Sequence, residues 1–201
     1  MAGDCEVPGR PEAERLYGRA EVRTYDLGDW GDRDRFWEMW HNRQAEVVLV
    51  LRRPDGRLIL QTKAFYPAGT FRLPTGGVKE RESLLAAVAR EVEEETGLAA
   101  QVACFLGILC YRFRRGGRPM QRASCVFLLD AGPGELCPRD RSEQITAFRE
   151  VPPADLDAVA GRLEQMPGEW AVWGRFRALA HRFVVEAMAR REGEGSKLGP
   201  L

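Results

Sequence analysis

The chain has 201 residues, 44% of them hydrophobic, which is enough to bury the core of one domain with short extensions. Its 30 basic and 30 acidic residues cancel, so the composition argues against general binding to nucleic acid or to membrane surfaces. No apolar run approaches the ~20 residues that cross a bilayer. No signal peptide opens the chain, so a cytoplasmic protein is expected.

The predicted domain lies between two polar ends. Residues 1–14 are turn-rich and are predicted to be a disordered leader, and residues 192–201 are predicted to be a disordered tail. One domain is therefore placed at 15–191, with an N-terminal strand at 16–27 as an elaboration. An aromatic cluster follows and is expected to pack against the core or a dimer partner. Its members are Phe36, Trp37, Met39 and Trp40.

Apolar runs separated by turn signals predict the remaining strands. Residues 45–51 form a buried strand, Pro54-Asp55-Gly56 signals a turn, and residues 57–61 form the returning strand of a hairpin. The later elements are predicted as strands at 100–111 and 123–130, a strand from Ile145, a helix from Pro152 and a helix at 170–191. The cysteines show no metal-ligand spacing, and those in strand-like segments are expected to be buried thiols: Cys104, Cys110 and Cys125.

A helix is predicted at 84–96, where good helix formers run without an internal Gly or Pro. Ser83 is a suitable N-cap and Gly97 a suitable C-terminal stop. An apolar stripe on this helix faces the core and consists of Leu84, Leu85, Val88 and Val92.

Three glutamates of the same helix crowd onto one face. Glu91, Glu94 and Glu95 stand at i, i+3 and i+4, where their like charges repel. One interpretation is a solvated acidic face. The other is a site for a hard divalent cation, which prefers oxygen ligands. Gly76 and Gly77, just ahead of the helix, favour the second, because paired glycines allow a tight turn that approaches a ligand closely.

The whole segment 76–98 resembles the signature of the Nudix hydrolases, the Nudix box. That pattern is Gly, five residues, Glu, seven residues, Arg-Glu, an aliphatic residue, one residue, Glu-Glu, one residue, Gly and an aliphatic residue. Each fixed position is filled here, by Gly76, Glu82, Arg90, Glu91, Val92, Glu94, Glu95, Gly97 and Leu98. The resemblance implies an α/β fold, an α/β/α sandwich with a mixed β-sheet.

The resemblance also implies the roles of these residues. The metal, Mg²⁺ or Mn²⁺, is expected to be held by the Gly76 carbonyl and by Glu91, Glu94 and Glu95. The expected catalytic set is Glu82, Arg90, Glu94 and Glu143. Glu82 and Arg90 are expected to orient the ligating carboxylates through a charge-assisted pair, and an ordinary helical pair with Glu94 is the alternative for Arg90.

Glu143 is the candidate for an additional ligand or general base, since many Nudix enzymes supply a glutamate from a loop before a late strand. The alternative is an exposed loop glutamate without a role. The arginine-rich connection around Gly116 and Gly117 is interpreted as a solvated loop, with contact to phosphates or RNA as the alternative. Its arginines are Arg112, Arg114, Arg115, Arg118 and Arg122.

The expected substrate is a small nucleoside diphosphate linked to another group, with ADP-ribose or a nucleotide sugar preferred. A nucleoside triphosphate pyrophosphatase, a non-catalytic nucleotide sensor and an RNA-binding or decapping module are the alternatives. The motifs that mark ADP-ribose, NADH, coenzyme A and dinucleoside-polyphosphate subgroups are not recognised outside the box. A homodimer is suggested by N-terminal strands that take part in dimers in similar proteins.

Overall fold

The computed structural model describes residues 5–29, 43 and 45–195, with the backbone alone at 192–195. The helices are α1 (Arg10–Tyr17), α2 (Leu84–Thr96), α3 (Leu156–Glu164) and α4 (Ala171–Gly195). The strands are β1 (Glu21–Asp29), β2 (Ala45–Arg52), β3 (Leu58–Lys63), β4 (Thr75–Gly77), β5 (Ala100–Arg115), β6 (Arg118–Ala131) and β7 (Ile145–Val151). Short 3₁₀ turns lie at Arg141–Glu143, Pro153–Asp155 and Gly168–Trp170.

The seven strands form one mixed sheet in the order β1-β5-β6-β2-β3-β7, with β4 pairing β2. The β1–β5 and β2–β6 pairs are parallel, and the others are antiparallel. Among the described strands, β1 and β7 are the edges. The antiparallel β2–β4 pair places Gly76 opposite Val47, so the box begins against a central strand.

A layer of helices covers each face of the sheet. The side chains of β2 alternate between the two faces and therefore contribute to both cores. Val47 and Leu49 belong to the core that α1 and α2 cover, whereas Val48 and Val50 belong to the core under α3 and α4. This arrangement confirms the predicted α/β/α sandwich with a mixed sheet. No helix in the described part of the chain is long and apolar enough to cross a membrane.

The prediction of a disordered leader is wrong for residues 5–14. This segment enters α1, and Cys5, Val7 and Ala13 are buried in the core on the α2 side. The predicted strand at 16–27 also starts too early: Gly18, with a φ of 91°, ends α1, and β1 begins at Glu21. The segment is polar in composition, but its three buried apolar side chains attach the short helix to the core.

The hairpin between β5 and β6 is longer than its sequence predicts. Only Gly116 and Gly117 form the turn, with φ values of 51° and 77°, and Arg115 pairs with Arg118. Two central residues with positive φ match the twist of antiparallel strands, so the arginine-rich segment continues both strands. Helix α4 begins at Ala171 and continues to Gly195, so the prediction of a disordered tail is wrong for residues 192–195.

The cysteines differ from expectation at one position. Cys104 and Cys125 are buried free thiols, as predicted. Cys110 instead contacts the sulfur of Cys5, and their Cα atoms are 5.8 Å apart, a separation suited to a disulfide. The predicted aromatic cluster at Phe36, Trp37, Met39 and Trp40 lies outside the described residues, as do residues 1–4 and 196–201.

Candidate active site

Helix α2 forms where its sequence places the two end signals. The Ser83 hydroxyl accepts a hydrogen bond from the Ala86 amide at 3.1 Å, and Gly97 ends the helix with a φ of 67°. A Cβ atom on Gly97 would lie 2.4 Å from the Cys137 carbonyl oxygen, so only glycine fits there. The positions of these two ends determine where the glutamates lie along the helix.

Arg90 connects most of the polar groups of the box. Its guanidinium donates to both carboxylate oxygens of Glu82 at 2.7 and 2.8 Å, and to the Gly77 carbonyl at 2.9 Å. Its Nη1 donates to Glu91 at 2.7 Å and to Glu94 at 2.9 Å. The bond from Arg90 lowers the pKa of Glu82. One arginine therefore joins the loop ahead of the helix to two carboxylates on it.

Gly76 packs directly against Glu91. A Cβ atom built on Gly76 would lie 1.7 Å from the Glu91 carboxyl carbon, so this contact requires glycine. Glu91 is 4% exposed, and burial raises its pKa to about 7. The charges of Glu95 and Glu143 add to this rise, and the hydrogen bond from Arg90 opposes it.

Glu95 is completely buried between α2 and β3. Its Oε1 accepts a hydrogen bond from Gln61 Nε2 at 2.8 Å and lies 3.4 Å from the ammonium nitrogen of Lys63. Its Oε2 is buried and has no hydrogen-bond partner within the described chain. Burial raises the pKa of Glu95, while the positive charges of Lys63 and Arg72 oppose that rise.

The loop that carries Glu143 is attached to the end of α2. The free carbonyl of Glu94 accepts hydrogen bonds from the Arg139 and Asp140 amides at 2.9 and 3.1 Å, and that of Thr96 accepts one from Cys137 at 2.9 Å. The loop then enters a 3₁₀ turn in which Glu143 contacts the Lys63 ammonium. The structure thus brings Glu143 to the same cluster as Glu91 and Glu95.

Helix α4 supports the box from behind. His181 Nε2 accepts a hydrogen bond from the Leu73 amide at 3.0 Å, three residues before Gly76. Arg177 donates to both oxygens of Glu46 at 2.8 and 2.9 Å, and Ser124 donates to the same carboxylate at 2.7 Å. Since Glu46 lies opposite Gly77 in the sheet, these bonds position β4 relative to the core.

Comparison with known proteins identifies the family. The family model of the NUDIX domain matches residues 42–172. The chain belongs to the Nudix hydrolase family.

Curated relatives of this Nudix hydrolase come from plants and archaea. It is 30% identical over 111 residues to Nudix hydrolase 6 of Arabidopsis thaliana, a match of 55% of this chain but only 36% of that protein's length. It is 36% identical over 155 residues to an ADP-ribose pyrophosphatase of Methanocaldococcus jannaschii, covering 74% of this chain and 85% of that one. Among solved structures, it is similar to a C. elegans Ap4A hydrolase binary complex, with 20% identity, a TM-score of 0.46 and coverage of 72% and 97%.

Nudix hydrolases generally use divalent metals, and the donors found here suit one. Within the described residues, no three His, Cys, Asp or Glu side chains already converge as a cage for a metal ion. The donor groups nevertheless suit a divalent metal ion. The carboxylates are hard oxygen donors, and Glu95 Oε2 is a buried acceptor that has no hydrogen-bond partner among the described residues. Lys63 supplies the positive charge between Glu95 and Glu143.

The structure brings the predicted site residues into one region. Hydrogen bonds from Arg90 connect Glu82, Glu91 and Glu94, and Gly76 packs against Glu91. Lys63 joins Glu95 to Glu143, and the charges of these two glutamates act on Glu91. Three participants were not predicted: Gln61, Lys63 and Arg72. Gln61 and Lys63 could have been found from the alternation of side chains along β3, which places both residues on the same face of the strand as Ile59.

Proposed function

We propose that this Nudix hydrolase cleaves the diphosphate of a nucleoside diphosphate linked to another group, with ADP-ribose or a nucleotide sugar preferred and Mg²⁺ or Mn²⁺ as the metal. The observation that carries the proposal is the cluster of Glu91, Glu95 and Glu143 beside Gly76, in which the charges of Glu95 and Glu143 raise the pKa of Glu91 and the charge of Glu143 raises that of Glu95. Such a concentration of buried negative charge is stable only when cations compensate it. The archaeal relative named an ADP-ribose pyrophosphatase supports the preference among substrates.

The residues divide into ligands, orienting groups and a base. Glu91, Glu94, Glu95 and the Gly76 carbonyl would hold the metal, which when bound neutralises phosphate charge and activates water. Glu82 and Arg90 keep Glu91 and Glu94 in place, since Arg90 bonds all three carboxylates. Glu143 takes the proton of the attacking water, because it lies at the edge of the cluster and its side chain is 29% exposed.

The test is turnover of a substrate panel by the full chain with Mg²⁺ or Mn²⁺, followed by separation of the products. The panel contains ADP-ribose, NADH, Ap₄A, nucleotide sugars and nucleoside triphosphates. We expect the highest kcat/KM for ADP-ribose or a nucleotide sugar, and a large loss in Glu95→Gln. The matched control is Glu93→Gln, an exposed glutamate on the same helix. Equal activity of Glu95→Gln and the parent, or no turnover of any compound despite metal binding, would overturn the proposal.

The proposal includes a cytoplasmic homodimer. Strand β1 lies at the edge of the sheet among the described strands, which is the position at which a second copy can add a strand. Sedimentation of the purified chain tests this assembly, and a monomer at micromolar concentration would contradict it.

A further inference from the structure

An exposed aromatic surface begins directly after Lys63, in the segment between β3 and β4. Phe65 contacts Tyr66 edge-to-face, with ring centroids 4.9 Å apart. Tyr66 in turn packs against Trp173 at 4.8 Å and Trp170 at 5.8 Å. We call Phe65, Tyr66 and Trp170 the aromatic surface; Trp173 lies buried beneath it.

The aromatic surface adjoins the carboxylate cluster. Phe65 is two residues beyond Lys63, and the intervening Ala64 amide donates to the Gln144 carbonyl at 2.9 Å, next to Glu143. Arg72 connects the same surface to the box loop: it donates to the Tyr66 hydroxyl at 2.8 Å and to Thr75 Oγ1 at 3.0 Å. A ligand with its phosphates at the carboxylates can therefore reach these rings.

Phe65 is unusual in its exposure. The residue is 54% exposed, and the other exposed large hydrophobic residue in the described part of the chain is Leu16, at 47% on α1. Exposed apolar surface is unfavourable in water, and an aromatic ligand that covers the ring removes this surface from water. Tyr66 contacts Phe65 from one side and is itself held by Trp170 and Trp173, so the aromatic surface is in place without a ligand.

We infer that the aromatic surface binds the nucleobase of the substrate, with Phe65 as its stacking residue. This inference rests on the proposed function, because it assigns the base of the nucleoside diphosphate whose phosphates occupy the carboxylate cluster. A planar base matches an exposed ring beside a phosphate site, since stacking needs a π-face and no hydrogen-bond complementarity. The surface thus selects for substrates that carry a base and tolerates different bases.

The experiment compares two ligands that differ in the base. AMP and ribose 5-phosphate each carry one phosphate monoester, and only AMP has a nucleobase. Calorimetric titration of the full chain in the presence of Mg²⁺ should show tighter binding of AMP. Phe65→Ala should weaken AMP binding by about 5- to 100-fold, the loss typical of one stacked base, and change ribose 5-phosphate affinity by less than twofold. Phe65→Trp should retain AMP binding.

Leu16→Ala is the matched control, because it removes the other exposed side chain and should leave both affinities unchanged. In turnover, Phe65→Ala should raise KM and keep kcat within threefold. Equal AMP and ribose 5-phosphate affinity in the parent, or unchanged AMP binding in Phe65→Ala, overturns the inference. If Phe65→Ala loses self-association but retains AMP affinity, the inference is also overturned, and Phe65 is assigned to a contact between two copies of the chain. Because this binding needs no turnover, inactivity on the substrate panel contradicts the proposed function alone.

Discussion

The ammonium nitrogen of Lys63 lies 3.4 Å from Glu95 Oε1 and also contacts Glu143, so one buried cation joins a glutamate of the box helix to the candidate base. Lys63 is 9% exposed and Glu95 is fully buried. A pair of this kind leaves an uncompensated charge when either partner is removed. We therefore expect Lys63 to stabilise the carboxylates in the absence of metal and to compete with a cation for them.

Lys63→Met tests both effects. Without metal, the variant should be less stable by about 3 kcal/mol, because Glu95 loses its buried counter-ion. Mg²⁺ or Mn²⁺ should bind at least about tenfold more tightly, because a charge close to Glu95 no longer repels it. Urea unfolding with and without metal measures the first effect, and calorimetric titration measures the second. Lys79→Met, at an exposed position, is the control; weaker metal binding by Lys63→Met would contradict the competition.

Gly76→Ala should disrupt the approach of the box loop to Glu91. The new Cβ would meet the Glu91 carboxyl carbon at 1.7 Å, so either the loop or the carboxylate has to move. We expect a loss of about 1–3 kcal/mol in unfolding free energy and a clear loss of metal affinity. The control is Gly132→Ala, whose Cβ would meet nothing closer than 3.5 Å. Parent-like metal affinity in Gly76→Ala would exclude this packing as a requirement.

Arg90→Lys should reduce kcat/KM about 10- to 100-fold, the usual effect of removing support from metal ligands. A lysine cannot donate to both oxygens of Glu82 and also reach Glu91, Glu94 and the Gly77 carbonyl. Steady-state kinetics with saturating metal make the measurement, and Arg162→Lys on α3 is an exposed control. Parental kinetics in this variant would show that these bonds do not support catalysis.

Much of the site could be predicted because its residues are close in sequence. Ser83 and Gly97 mark the two ends of α2, as expected. Helical spacing then places Glu91, Glu94 and Glu95 on one face, and no tertiary information is needed to predict this. Lys63 and Gln61 were missed because their contacts with Glu95 span 32 and 34 positions. Strand alternation gives the face on which they lie, whereas the packing of β3 against α2 decides which charge they meet.

Glu143→Gln tests the candidate base. A glutamine cannot accept the proton of water, so kcat should fall about 10²- to 10⁴-fold at saturating metal. Metal affinity should change less, because Glu143 lies at the exposed edge of the cluster. Glu135→Gln, an exposed glutamate of the same loop, is the control. A kcat within threefold of the parent, at saturating metal and across pH, would rule out the base role.

His181 should make the protein less stable in mild acid. Burial lowers its pKa to about 4, the positive charges of Arg72 and Arg177 add to this effect, and the hydrogen bond to the Arg177 carbonyl opposes it. The neutral ring accepts a hydrogen bond from the Leu73 amide. Between the folded pKa of about 4 and the unfolded value of about 6.5, the unfolded chain binds the proton preferentially. The stability that the neutral ring contributes is complete above about pH 6.5 and decreases by about 3 kcal/mol as the pH falls to 4. Urea unfolding at several pH values should therefore show a steeper decrease for the parent than for His181→Gln. Parallel decreases would show that folding does not lower the pKa of this imidazole.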